Sequence, residues 1–146
     1  SICQKALDVG AKVTVLCRTP EKAAAFSERQ GVIVGELSPT VQKECAKSAD
    51  IIINATPLGM EGIPDDFADF SFLDGTEAAV YDIVYKPAET SLLRESRKRG
   101  LKAFNGLGML INQAIYAFSI FTEQEFDFGE MSGYLEQEIG KIVYAK

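Results

Sequence analysis

The chain has 146 residues, 47% of them hydrophobic and 25% charged, the balance of an ordinary globular chain of about one domain. A formal net charge of -6 and a sequence pI near 4.7 argue against a general nucleic-acid surface, which needs a concentrated basic face. Three cysteines without metal-ligand spacing, and no histidine, argue against a metal site and point to a reducing compartment, taken as the cytoplasm.

In chain order, residues 1–9 carry a helical pattern, and Gly10 stands where that helix ends before the β-rich run AKVTVL. The run TPEKAAAFSERQG predicts a second helix, capped by Thr19, with Pro20 in its first turn and Gly31 past its end. VIVG follows as a strand, and Ser38 or Thr40 is placed to cap a helix running to Lys47. DIIINAT is a continuous apolar run, the pattern of a parallel strand buried on both faces. Residues 57–75 read as loop with short turns, AAVYDIVY as a strand, 90–99 as a helix stopped by Gly100, and LKAF as a last strand. A long helix follows Gly106, and residues 130–143 suggest one more amphipathic helix. The apolar run from Leu107 to Phe121 is short for a membrane span and contains Asn112 and Gln113, so a buried helix is expected there and no membrane role.

Strands alternating with helices at this spacing predict an α/β fold with a doubly wound parallel sheet and right-handed crossovers. A dinucleotide-binding fold opens with a strand and a glycine-rich turn, whereas this chain opens with what reads as the helix after them. The sheet is therefore expected to lack its first strand and glycine-rich loop, leaving apolar edges of the neighbouring strands open, and the chain to be part of a longer polypeptide.

Three motifs bear on chemistry. In VTVLCRTPEK no acid ends the strand, so Arg18, Thr19 and Lys22 could receive the 2'-phosphate of NADP; the same residues also suit a plain helix cap with two solvated cations. In INATPLGM, Asn54 and Thr56 could hydrogen-bond a cofactor, with Ala55 small enough for a ring to approach, or the three could simply build the turn before Pro57. In YDIVY, Asp82 falls in a buried strand, where an unpaired acid is costly, so it is expected to bond local backbone.

Together CRTPEK, ADIIINATPLGM, YDIVYKPAETSLLRESRKRGLK and NGLGMLINQAIYAF resemble, in order and spacing, the carboxyl-terminal part of the shikimate dehydrogenases, over roughly residues 5–122. The resemblance implies NADPH-dependent, reversible reduction of 3-dehydroshikimate to shikimate in aromatic amino-acid biosynthesis. It implies that residues 1–105 form a partial NADP-binding Rossmann domain and that residues 106–146 form helices packing on an amino-terminal substrate domain outside this chain. Carried over by residue, Arg18, Thr19 and Lys22 surround the 2'-phosphate, and Asn54, Ala55 and Thr56 line the cofactor. Ile83, the Gly106 carbonyl and Met109 lie by the nicotinamide, and Tyr85 and Gln113 reach the substrate. Gln113 stands one helical turn beyond Met109 and so on the same side; alternatively Met109, Leu110, Ala114 and Ala117 form an ordinary core face and Gln113 is a polar helix residue.

Cys17 departs from the family's usual asparagine in its NRT motif. The family's catalytic lysine and aspartate belong to the amino-terminal domain, so no catalytic acid or base is assigned here and the segment alone is expected to be inactive. An NAD-linked quinate/shikimate dehydrogenase relative and a noncatalytic nucleotide-sensing module are the alternatives.

Overall fold

The computed structural model describes residues 2–23, 32–64, 67 and 69–144, which fall into two compact units. The first comprises Ser1–Ala49 with Ser71–Thr76, the second Asp50–Phe70 with Glu77–Lys146.

In the first unit, helix α1 (Ile2–Asp8) ends at Gly10, whose φ of 80° is the left-handed geometry that glycine adopts without a Cβ clash. Strand β1 (Val13–Cys17) then pairs in parallel with β2 (Val32–Glu36), Val13 opposite Val32 and Cys17 opposite Glu36. Only a short 3-10 turn, Pro20–Ala23, is described after Thr19; the remainder of the helix expected there, residues 24–31, lies outside the described residues. Helix α2 (Pro39–Ala46) is capped by Ser38, whose hydroxyl accepts from the Val41 backbone N–H at 3.4 Å, which decides between the two expected caps. It packs on a second 3-10 turn, Ser71–Leu73, and Thr76 donates its hydroxyl to the Ala46 carbonyl at 2.6 Å. Phe72 and Leu73 are buried in this unit.

In the second unit, β3 (Ile51–Asn54), β4 (Ala79–Asp82) and β5 (Ala103–Phe104) form a parallel sheet with β4 in the centre. Registers Asn54 to Asp82 and Tyr81 to Phe104 align the carboxyl ends of the three strands. Helix α3 (Ser91–Lys98) covers β4 and β5 with Leu92, Leu93 and Ser96, all buried. Burying each leucine contributes about 1.5–3 kcal/mol. Thr90 caps α3 and Gly100, φ 76°, follows its end. Helices α4 (Leu107–Thr122) and α5 (Phe128–Val143) form a hairpin whose turn includes Glu123 at φ 55°, with Asp127 capping α5. Leu107, Ile111 and Ile115 are the buried stripe of α4, packed against Met131, Leu135 and Ile139.

The five described strands form two parallel sheets, β1 with β2 and β3 with β4 and β5. Two expectations are corrected. Strand β3 is not buried on both faces: Ile51 is 60% exposed and Ile53 41%, while Asn54 is buried. Residues two apart share a face, and within its unit no described element covers the face that carries Ile51 and Ile53. Strand β4 ends at Asp82, short of the expected Tyr85, because Asp82 turns its carboxylate onto the Val84 N–H and the chain breaks into the loop holding the cis Lys86–Pro87 bond.

Candidate functional site

The aligned carboxyl ends of parallel strands are where open α/β sheets receive ligands, and in the second unit three loops leave that edge side by side. Backbone bonds tie them together. Ile83 N–H donates to the Asn54 carbonyl at 3.1 Å, and Gly106 N–H to the Val84 carbonyl, also at 3.1 Å. A Cβ on Gly106 would collide with the Ile83 carbonyl, so the close approach that requires glycine here is first of all to the chain's own backbone. A Cβ on Gly108 would meet nothing within 4 Å.

This arrangement gathers seven of the sequence-predicted residues around one sheet edge: Asn54, Ala55 and Thr56 after β3, Ile83 and Tyr85 after β4, and Gly106 and Met109 where β5 passes into α4. Asn54 is 8% exposed and its amide is engaged internally. Its Nδ2 donates to Asp82 Oδ1 at 3.0 Å, while its Oδ1 accepts from the Thr56 N–H at 3.0 Å and the Thr56 hydroxyl at 2.7 Å. Ala55 is exposed beside them, and Tyr85 is exposed with no hydrogen-bond partner for its hydroxyl among the described residues.

Gln113 is exposed on α4, one turn from the half-buried Met109. The buried stripe is Leu107, Ile111 and Ile115; Ala114 and Ala117 are exposed, so the alternative core face through Met109, Leu110, Ala114 and Ala117 is not the one the helix buries. An open cleft of about 490 Å³ lies along Lys86, Pro87 and Ala88 against Val143 and Tyr144, and takes in none of the predicted site residues. Among its lining residues, Lys86 Nζ and Glu61 Oε2 form an exposed ion pair of 3.0 Å, worth about 0–1 kcal/mol.

Two tyrosines flank this region from within. Burial raises the Tyr81 phenol above its ordinary pKa, partly offset by a hydrogen bond with the Met109 backbone and reinforced by the Glu136 charge. Burial likewise raises Tyr144, partly offset by Asn105, whose Nδ2 donates to the Tyr144 oxygen at 3.0 Å, and reinforced by Glu136. Sequence reasoning missed Thr90 and Asn105 as parts of this framework. Both precede helices, so their cap signals were legible, but their partners 8 and 39 residues away were not.

In the first unit, Arg18 and Thr19 follow the carboxyl end of β1, and the Lys22 N–H donates to the Thr19 carbonyl at 3.1 Å. Arg18, Thr19 and Lys22 are exposed, and neither cation forms an ion pair among the described residues.

A sequence profile described as the shikimate 5'-dehydrogenase C-terminal domain matches residues 106–132, the stretch holding Gly106, Met109 and Gln113. The shikimate dehydrogenase (NADP(+)) of Archaeoglobus fulgidus is 42% identical over 129 residues, covering 86% of this chain and 47% of that protein. The chain matches the carboxyl-terminal half of the shikimate dehydrogenases. Its fold is the α/β, Rossmann-type fold of that family's solved structures. A chorismate mutase/shikimate 5-dehydrogenase fusion protein from Clostridium acetobutylicum matches with a TM-score of 0.73 at 30% identity, over 95% of this chain and 50% of that one. A quinate dehydrogenase from Corynebacterium glutamicum in complex with NAD matches with a TM-score of 0.70 at 30% identity, over 87% and 47%. The chain spans about half the length of the curated relatives it matches, and in the family profile its match begins at the β5–α4 junction.

Proposed function

We propose that the intact polypeptide carrying this chain is a cytoplasmic NADP-dependent shikimate dehydrogenase, reducing 3-dehydroshikimate reversibly to shikimate. The observation that carries the reading is the 42% identity to a relative named for NADP(+), extending over the strand-end loops that the fold brings together.

The residues present suit the cofactor. Arg18, Thr19 and Lys22 offer a planar fork, a hydroxyl and an ammonium, all exposed and the cations unpaired among the described residues, a donor set fitted to a 2'-phosphate. Ala55, Ile83, Met109 and the Gly106 carbonyl would hold the nicotinamide ring, while the engaged amide of Asn54 shapes the turn beneath it. When bound, the nicotinamide supplies the hydride. Tyr85 and Gln113 orient the substrate through the phenol and the side-chain amide, each able to donate and accept. Proton transfer is not assigned to any residue of this chain. Residues 1–105 serve as the cofactor-binding part and 106–146 as helices that pack on an amino-terminal substrate domain. Exposed Tyr116, Ile120 and Phe121 on α4 support that packing, since so many neighbouring apolar side chains are costly to leave in water.

The test follows nicotinamide absorbance in the intact polypeptide, with shikimate or quinate against NADP or NAD. Turnover favouring shikimate with NADP is expected. A preference for quinate with NAD would transfer the chain to the second reading, which the likeness to the NAD-bound quinate dehydrogenase favours. Cofactor binding without turnover on either substrate would overturn both.

A further inference from the structure

Among the described residues Asp82 is the charged side chain that is fully buried. Its Oδ1 accepts from Asn54 Nδ2 at 3.0 Å and from the Val84 N–H at 3.1 Å, and its Oδ2 from the Thr90 hydroxyl at 2.7 Å. These donors come from three places: the end of β3, the loop after β4 and the cap of α3. A carboxylate accepts at several positions at once, so it can take all three; no neutral side chain of the same shape offers only acceptors. The consequence reaches past the first contacts. With Nδ2 of Asn54 turned to Asp82, its Oδ1 is left facing residue 56, where it takes both the Thr56 N–H and hydroxyl, and Thr56 Oγ1 in turn accepts from the Leu58 N–H at 3.4 Å.

The loop after β4 has other fastenings. The carbonyls of Val84, Lys86 and Ala88 accept from Gly106 N–H, Glu61 N–H and Asn105 Nδ2, respectively. None of these involves Asp82, so the loop has fastenings of its own beside the bonds that its Val84 N–H and Thr90 hydroxyl make to the acid. What the carboxylate adds is a side-chain link between that loop and the turn at 54–58, through the Asn54 amide, beside the single backbone bond from Ile83 N–H to the Asn54 carbonyl. We infer that Asp82 is a positioning residue that sets the 54–58 turn and the 83–90 loop in fixed relation, so that Ala55 and Thr56 on one side and Ile83 and Tyr85 on the other meet their ligands together. This rests on the proposed function of those two segments.

The test uses the intact polypeptide with Asp82→Asn, which keeps shape but presents an amide N–H to one of the three donors. Thr90→Val removes a donor and Thr90→Ser retains it. Amide hydrogen exchange is expected to quicken about tenfold in both 54–58 and 84–90, with the remainder of the chain unchanged. The Kd for NADP and the KM for substrate should each rise about tenfold, in excess of any fall in kcat, in Asp82→Asn. Thr90→Val should show part of the effect and Thr90→Ser little. A uniform quickening of exchange, quickening in one segment alone, or lowered stability with unchanged Kd and KM overturns the role. Should Asp82→Asn fail to fold, the contrast between Thr90→Val and Thr90→Ser decides by the same readings. Absence of turnover in the unsubstituted protein would sink the functional proposal, while exchange and NADP affinity still decide the part played by Asp82.

Discussion

Gly106 and Gly108 sit two residues apart at the start of α4 and have opposite surroundings. Gly106→Ala would drive a methyl onto the Ile83 carbonyl and should cost about 1–3 kcal/mol, read from the urea midpoint. Gly108→Ala meets no neighbour and should be neutral or stabilising by up to about 1 kcal/mol through helix propensity. Equal effects at the two positions would show that the Ile83 contact is not what selects glycine. Gln113 is exposed and remote from the buried stripe of α4, so Gln113→Ala should leave stability within about 0.5 kcal/mol and raise the KM for shikimate about tenfold. Unchanged shikimate kinetics would remove it from the substrate site. Arg18→Ala combined with Lys22→Ala should raise the KM for NADP about tenfold or more and leave that for NAD nearly unchanged, since only the former carries the extra phosphate. Equal effects on the two cofactors would count against a phosphate role. Gln113, Arg18 and Lys22 were legible in the sequence as candidates because their motifs are short and contiguous. The engagement of Asn54 by Asp82 was not, because its partners stand 28 residues apart.

At the level of elements, side-chain caps fix three helix starts. Ser38, Thr90 and Asp127 each accept a backbone N–H from the first turn of their helices. Ser38→Ala should lower stability by about 1 kcal/mol, measured by denaturant unfolding, whereas Thr40→Ala should do less because Thr40 is already inside α2. A larger loss at Thr40 would reverse the cap assignment. Strand ends were read less well. AAVYDIVY carries β propensity through Tyr85, but β4 stops at Asp82. Propensity reports how well side chains suit a pleated surface, while strand length is decided by which backbone groups find a ladder partner. Past Asp82 the Val84 N–H goes to a carboxylate, and the Val84 carbonyl goes to Gly106.

For the molecule as a whole, the raised phenols of Tyr81 and Tyr144 predict an alkaline limit. A phenol whose folded pKa is raised holds its proton more tightly in the folded state than in the unfolded one. Its contribution is therefore fully present below the unfolded value of about 10, and is lost as pH rises through the folded value. Urea unfolding from about pH 8 to about pH 11 should show stability falling above about pH 10, and Tyr81→Phe should flatten that fall. A profile unaltered by the substitution would locate the alkaline loss elsewhere. Both rings retain solvent contact, so the effect should be modest. The apolar surface on β3 and α4 also belongs to this scale. A continuous run of isoleucines reads in sequence as a strand covered on both sides, but coverage depends on what packs against it.

The sequence by itself determined the alternation of strands and helices, the glycine stops at Gly10 and Gly100, and the motifs shared with the shikimate dehydrogenases. All of these are set within a few residues by periodicity, side-chain-to-backbone bonding and φ restriction. Only the tertiary structure decided that Ile51 and Ile53 are left open, that Leu107, Ile111 and Ile115 are the stripe α4 buries, and that Gly106 is fitted against Ile83. It alone joined Asp82 to Asn54 and Thr90. Parallel pairing brings together residues distant in sequence, and the register that does so is fixed by packing and long-range hydrogen bonds, which no local pattern encodes.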